Sequence, residues 1–156
     1  MYCSPVRMRC TAASSASWPV TGFVAGSMPA DFIAAMKGAG LNPANVPVTG
    51  QDAELAAIQR ILAGQQYMTV YKAVKPEAGA AAEIAVALAK GQKVRAGLVN
   101  QKVNNGQKDV PSVILKPVAV TKANVKDTVI KDGYQKPSQV CTGQYASACK
   151  AAGIGV

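Results

Sequence analysis

Residues 46–72 read VPVTGQDAELAAIQRILAGQQYMTVYK, and this stretch decides the fold class. Val46-Pro47-Val48-Thr49 is a short apolar run of the kind that forms a buried strand. Gly50-Gln51-Asp52 follows at once. Leu55, Ile58 and Leu62 then recur at helical spacing, and Gly64 ends that helix. Tyr67 to Lys72 alternates between apolar and polar residues in the manner of a second strand. Strand, helix and strand in so short a span predict a βαβ unit with parallel strands.

The neighbouring segments extend the same pattern. Upstream, residues 31–39 place Phe32, Ala35, Met36 and Ala39 on one face, with Asp31 as candidate N-cap and Gly40 as terminator. Downstream, Pro76 and Glu77 suit a first helical turn, and the helix runs to about Lys90 before Gly91. It is almost wholly apolar from Ala78 to Ala89, so it is expected to be well buried. Asn104-Asn105-Gly106 is a turn signal. Val113-Ile114-Leu115 and Val118-Ala119-Val120 read as one apolar strand broken by Pro117, at an edge or a crossing. Thr121 is expected to cap a short helix from Asn124 to Lys131, ended by Gly133, with one more helix at 143–151. Residues 1–30 hold Trp18, Cys3 and Cys10, show neither period, and read as a poorly ordered leader. The predicted fold class is α/β: a parallel sheet flanked by helices, Rossmann-like and incomplete.

Composition narrows the function. The chain has 156 residues, nearly half of them apolar, which suits a packed domain rather than a disordered one. Lys and Arg total 17 against 8 acids, a net charge of +9. Those cations are scattered and aromatics are few, so no nucleic acid is expected as partner. Histidine is absent. That removes the usual general base, the Ser-His and Cys-His pairs and most zinc sites, so the chain reads as no enzyme, with no cofactor and no metal. No apolar run is long enough to span a membrane. Arg7 and Arg9 precede a mixed stretch broken by Pro19 and Gly22, which makes a poor signal peptide. Cys141 and Cys149 bracket a short segment. They fit a local disulfide in an extracytoplasmic protein, and equally two free thiols on a terminal helix.

Candidate site residues follow from topology. In open parallel sheets, ligands bind beyond the carboxyl ends of the strands. Asp52 follows one predicted strand and Lys72 closes the next, so one strand–helix–strand step puts both on the same rim. A carboxylate accepts two hydroxyl hydrogen bonds and an ammonium donates several. Together they suit a neutral polyol, each charged hydrogen bond contributing about 1.5–3 kcal/mol. Two plainer roles stand beside this one: Asp52 as a helix N-cap and Lys72 as a solvated strand end.

The strings G-Q-D (50–52), T-V-Y-K (69–72) and D-T-V-I-K-D-G (127–133), in this order, resemble the xylose-binding branch of type I periplasmic sugar-binding proteins. P-E-A-G-A-A-A-E-I-A-V-A-L-A-K-G (76–91) and N-N-G-Q-K-D-V-P-S-V-I-L-K-P-V (104–118) continue the likeness, which covers about residues 31–135. The resemblance implies two Rossmann-like lobes joined by three hinge strands and closing on one monosaccharide. It implies that Asp52 and Lys72 contact the sugar, xylose-like or glucose-like, and that the membrane permease of an ABC importer is the partner. It places the protein in the periplasm or at the cell surface. By the same likeness, 31–72 belongs to the C-terminal lobe, 73–120 is a segment of the N-terminal lobe plus a crossing strand, and 121–156 is a terminal helix and tail. The family carries an Asn-Asp pair where this chain has Ala25-Gly26, and its first lobe has no counterpart, which reads as a truncated form. Residues 1–30 look unrelated to the family. The alternatives are a ligand-sensing effector domain of a transcription regulator, whose helix-turn-helix is not seen, and a non-functional fragment.

Overall fold

A computed structural model describes residues 23–24 and 29–155. Cys3, Cys10, Trp18 and the Ala25-Gly26 position lie outside the described residues. Strand β1 (Phe23–Val24) pairs in parallel with β2 (Val48–Gln51), with Phe23 opposite Val48. So part of the segment read as a poorly ordered leader belongs to the sheet. Helix α1 (Pro29–Gly38) follows, starting before the expected Asp31, which lies inside its first turn. Gly40, at φ +74°, ends it in the left-handed region open to glycine. A single 3₁₀ turn, Pro43–Asn45, leads to β2, with the Asn42 side chain accepting from the Ala44 N–H at 3.0 Å.

Strand β2 pairs in parallel with β3 (Met68–Tyr71), Gly50 standing opposite Thr69. Helix α2 (Leu55–Leu62) crosses between them. Its apolar residues Ala57, Ile58, Ile61 and Leu62 lie on one helical face, and all four are buried. Full burial of an Ile or Leu contributes about 1.5–3 kcal/mol, so this face is a main source of stability. The N-cap position of α2 is Glu54, not Asp52, which frees Asp52 from a capping role. The parallel reading of 46–72 is therefore seen in the structure, shifted by two residues at the first strand.

Helix α3 (Val74–Ala89) corrects the expectation of burial: none of its residues is buried. One face, Ala80, Glu83, Ile84 and Ala87, is half-buried, with Ala80 and Ile84 lining a hollow shared with residues 112–115. A hairpin follows, β4 (Gln101–Asn104) and β5 (Asp109–Ser112), with Asn104 opposite Asp109 around the Asn-Asn-Gly turn. From residue 72 through 119 no residue is buried. Residues 113–117 form no strand; only β6 (Val118–Thr121) does, so the longer strand read across Pro117 is cut to its second half. Proline supplies no ladder N–H, and the pairing starts just past it.

Strand β6 runs antiparallel to β3, Tyr71 opposite Val118, and completes a sheet in the order β1-β2-β3-β6. A π-helical turn, Lys126–Ile130, replaces the expected α-helix from Asn124 to Lys131. At Thr121 the backbone N–H donates to the Asn124 side chain at 2.8 Å and the carbonyl accepts from the Val125 N–H at 3.1 Å, which keeps Thr121 at the start of the turn. Short helices α4 (Pro137–Val140) and α5 (Ala146–Ala151) close the chain around a 3₁₀ turn at Gly143–Tyr145. Cys141 and Cys149 form a disulfide that ties α4 to α5. The main core joins Ile58, Ile61, Leu62, Tyr71, Val120, Val125, Val129, Val140 and Ile154 with both cysteines. A smaller cluster, Ile33, Met36 and Val48, seats α1 on β2.

Candidate functional site

The rim is built by the sheet itself. Strands β2 and β3 are parallel and adjacent, so the residues just past their ends emerge side by side. Asp52 and Lys72 are those residues, and Asp52 Oδ1 lies 2.8 Å from Lys72 Nζ. Both side chains are about half exposed. The nearby carboxylate, first through its hydrogen bond and then through its charge, holds the Lys72 ammonium above the usual lysine range. Asp52 does not cap α2, and Lys72 ends its strand half exposed to solvent and paired to Asp52.

Gly50 has a steric reason at this point of the chain. A Cβ there would sit 2.6 Å from Gln66 Nε2 and 3.2 Å from Pro29 Cγ. Gln66 is buried and fixed from both sides, accepting from Arg60 Nε at 3.0 Å and donating to the Met68 carbonyl at 3.0 Å.

The turn that carries Asp52 is unusual. Asp52 has φ 70° and Ala53 has φ 47°, and they are the two described non-glycine residues with positive φ. The Ala53 N–H donates to Thr69 Oγ1 at 3.2 Å in a fully buried contact. The Asp52 carbonyl accepts from the Tyr134 hydroxyl at 3.1 Å, and the Ala53 carbonyl accepts from Gln135 Nε2 at 3.0 Å. The ring of Tyr134 rests on that of Tyr71, centroids 5.0 Å apart at 48°. The Tyr71 hydroxyl donates to Asp132 Oδ2 at 3.1 Å. Burial first, then that carboxylate, push the Tyr71 phenol up from its ordinary value.

A cleft of about 310 Å³ opens at this rim, lined by Asp52, Lys72, Val74, Glu77 and Tyr134. A smaller one of about 220 Å³ adjoins it between Lys72, Glu77 and residues 113–117. A larger hollow, about 420 Å³, lies at the opposite end of the strands among Pro43, Pro47, Gly64, Tyr67 and Lys122. It holds no paired charges, so the chemistry favours the smaller cleft. Sequence reasoning missed Tyr134 and Gln135, which directly follow the D-T-V-I-K-D-G string and reach Asp52 and Ala53 from 82 residues away.

A family described as "Periplasmic binding protein domain" matches residues 9–93, more than half of the chain. The chain belongs to this periplasmic binding protein family. The match begins inside the segment that looked unrelated to the family, which corrects that reading. A D-xylose-binding periplasmic protein of Escherichia coli strain K12 is 52% identical over 108 residues, covering 69% of this chain and 32% of that protein. A multiple sugar-binding periplasmic protein of Azospirillum brasilense is 38% identical over 113 residues, 69% of this chain and 30% of its own length. The chain thus spans about a third of the length of the curated relatives it matches. Among solved structures, a carbohydrate transporter solute binding protein from Chloroflexus aurantiacus in complex with D-glucose superposes with a TM-score of 0.60. It is 37% identical and covers 74% of this chain and 34% of that one. A glucose-bound ABC transporter solute binding protein from Clostridium phytofermentans gives a TM-score of 0.52 at 30% identity, over 60% of this chain and 29% of that one.

Proposed function

We propose that this chain forms one wall of a monosaccharide site, as part of the solute-binding component of an ABC carbohydrate importer. The carrying observation is the Asp52–Lys72 pair at the carboxyl ends of two parallel strands, open to a cleft with an aromatic ring beside it. Asp52 keeps acceptor capacity beyond the bond to Lys72, and the ammonium keeps two of its three donors. A pair of neighbouring sugar hydroxyls can bridge them, one donating to the carboxylate and one accepting from the ammonium. Tyr134 offers an apolar flank for the ring carbons, and Glu77 a further acceptor. Binding rather than catalysis suits this set, and the names of the xylose- and glucose-binding relatives favour a pentose or hexose. In this reading residues 31–72 and 121–156 serve the C-terminal lobe, and 73–120 belongs to the N-terminal lobe and its crossing. The Cys141–Cys149 disulfide supports work outside the cytoplasm, where such bonds persist.

A site that excludes water from a sugar needs a second wall. With both charged groups half exposed, sugar hydroxyls compete with water at little gain. The expected affinity of the 156-residue chain for xylose, glucose or ribose is therefore about millimolar or weaker. Calorimetry and amide chemical shifts, read with each sugar, test this. The expected result is weak saturation, with shifts centred on Asp52 and Lys72 that vanish in Asp52→Asn. A submillimolar affinity would refute the one-wall reading. Shifts elsewhere, or none at saturating sugar, would remove the site.

A further inference from the structure

We propose that Tyr134 and Gln135, together with Thr69, are positioning residues that clamp the Asp52–Ala53 turn and so aim the Asp52 carboxylate along the rim. The proposal deepens the reading of Asp52 as a sugar contact and rests on it. Two successive residues with side chains occupy the left-handed region here, at φ 70° and 47°. Aspartate visits that region with some ease, but alanine has no local hydrogen bond to compensate the clash of its Cβ. Left alone, G-Q-D-A would relax to negative φ and swing the Cα–Cβ bond of Asp52 away from Lys72.

The surroundings over-determine the strained form. Three consecutive backbone polar groups, the Asp52 carbonyl and the Ala53 N–H and carbonyl, each receive a side-chain partner: Tyr134, Thr69 and Gln135 in that order. Thr69 comes from the adjacent strand. Tyr134 and Gln135 come from the far end of the chain, just past Gly133 at φ 70°, where the chain turns out of the π-helical segment. Tyr134 is itself braced by its ring contact with the buried Tyr71, and the Gln135 N–H is held by the Val129 carbonyl at 3.0 Å. Strain fixed in this way, beside the pair that meets the cleft, is the arrangement expected where a side chain must be presented in one orientation.

The test separates aim from mere cohesion by reading Lys72; because the Tyr134 hydroxyl itself acts on that ammonium, the clamp is broken at Gln135. The Lys72 ammonium titrates above the ordinary lysine value because Asp52 is beside it. In Gln135→Leu, NMR titration is expected to bring Lys72 down toward the value seen in Asp52→Asn. Exchange of the Ala53 amide is expected to speed by about tenfold, the loss of roughly one hydrogen bond. A Lys72 titration that stays as high as in the unaltered chain overturns the proposal. Should Gln135→Leu unfold, Gln135→Met decides, since it keeps the length of the side chain and lacks only the donor: a drop in Lys72 supports the clamp, and no change refutes it. Sugar titration of the unaltered chain is scored apart. A clamp that holds Lys72 high in a chain showing no sugar shifts would remove the sugar reading and leave the clamp standing.

Discussion

Thr69→Val is the sharpest probe of the packed turn beneath the rim. Thr69 is fully buried on β3, between Gly50 and Val120 of its neighbouring strands, and its Oγ1 accepts the Ala53 N–H at 3.2 Å. Valine copies the shape and favours strands at least as well as threonine. What it removes is the acceptor, and Ala53 is itself fully buried, so its N–H has no route to water. An orphaned buried donor costs about 1–3 kcal/mol. Thr69→Ser keeps the acceptor and deletes one buried methyl, which costs about 0.5–1.5 kcal/mol by analogy with Ile→Val. The expected order of stability is therefore wild type, then serine, then valine. For a chain of this size, about 2 kcal/mol lowers Tm by roughly 4–8 °C. Urea unfolding followed by far-ultraviolet circular dichroism reads the difference, with the denaturant slope unchanged. A valine variant as stable as the wild type would show that the hydroxyl acceptor is not needed, and the account of the turn would fail.

Three further outcomes are expected. Gly50→Ala brings a Cβ to 2.6 Å from the doubly bonded Gln66 amide and should destabilise by about 1–3 kcal/mol, measured by the same unfolding curves. Cys141→Ala with Cys149→Ala opens a short loop within the main core and should cost about 2–3 kcal/mol, whereas a loss under 0.5 kcal/mol would mean the C-terminal helices dock without the link. Glu83 is held below the usual glutamate range by its bidentate bond to Arg95, 2.7 and 3.3 Å, so the pair contributes above the unfolded glutamate pKa and is lost as pH falls through the lowered folded value. Arg95→Ala should return Glu83 to its ordinary titration by NMR, with little change in the unfolding midpoint because both groups are exposed.

Local periodicity made the 46–72 unit legible, and with it the shared rim of Asp52 and Lys72. Both follow from the side chains of one strand–helix–strand step and the rule that parallel strands end together. The Asn-Asn-Gly hairpin was legible for the same local reason. The burial of α3 was not: an alanine-rich helix states that it would gain from a partner, but its period cannot say whether one is present. The left-handed turn at Asp52-Ala53 carries no glycine to announce it. Its supports, Tyr134 and Gln135, act across 82 residues, and nothing in their own neighbourhood marks them as partners of the rim. The cysteine pairing stood open on spacing alone, because eight residues suit both a bridge and two thiols.

The antiparallel pair β3 and β6 has a topological consequence. Tyr71 and Val118 face each other, so the chain departs from the sheet and rejoins it at adjacent points. Everything between, α3 and the hairpin included, adds no buried residue to the core. This excursion threads nothing and is anchored by two neighbouring stems, like a pendant on a paired cord. Excising it onto a short tether would leave the sheet intact.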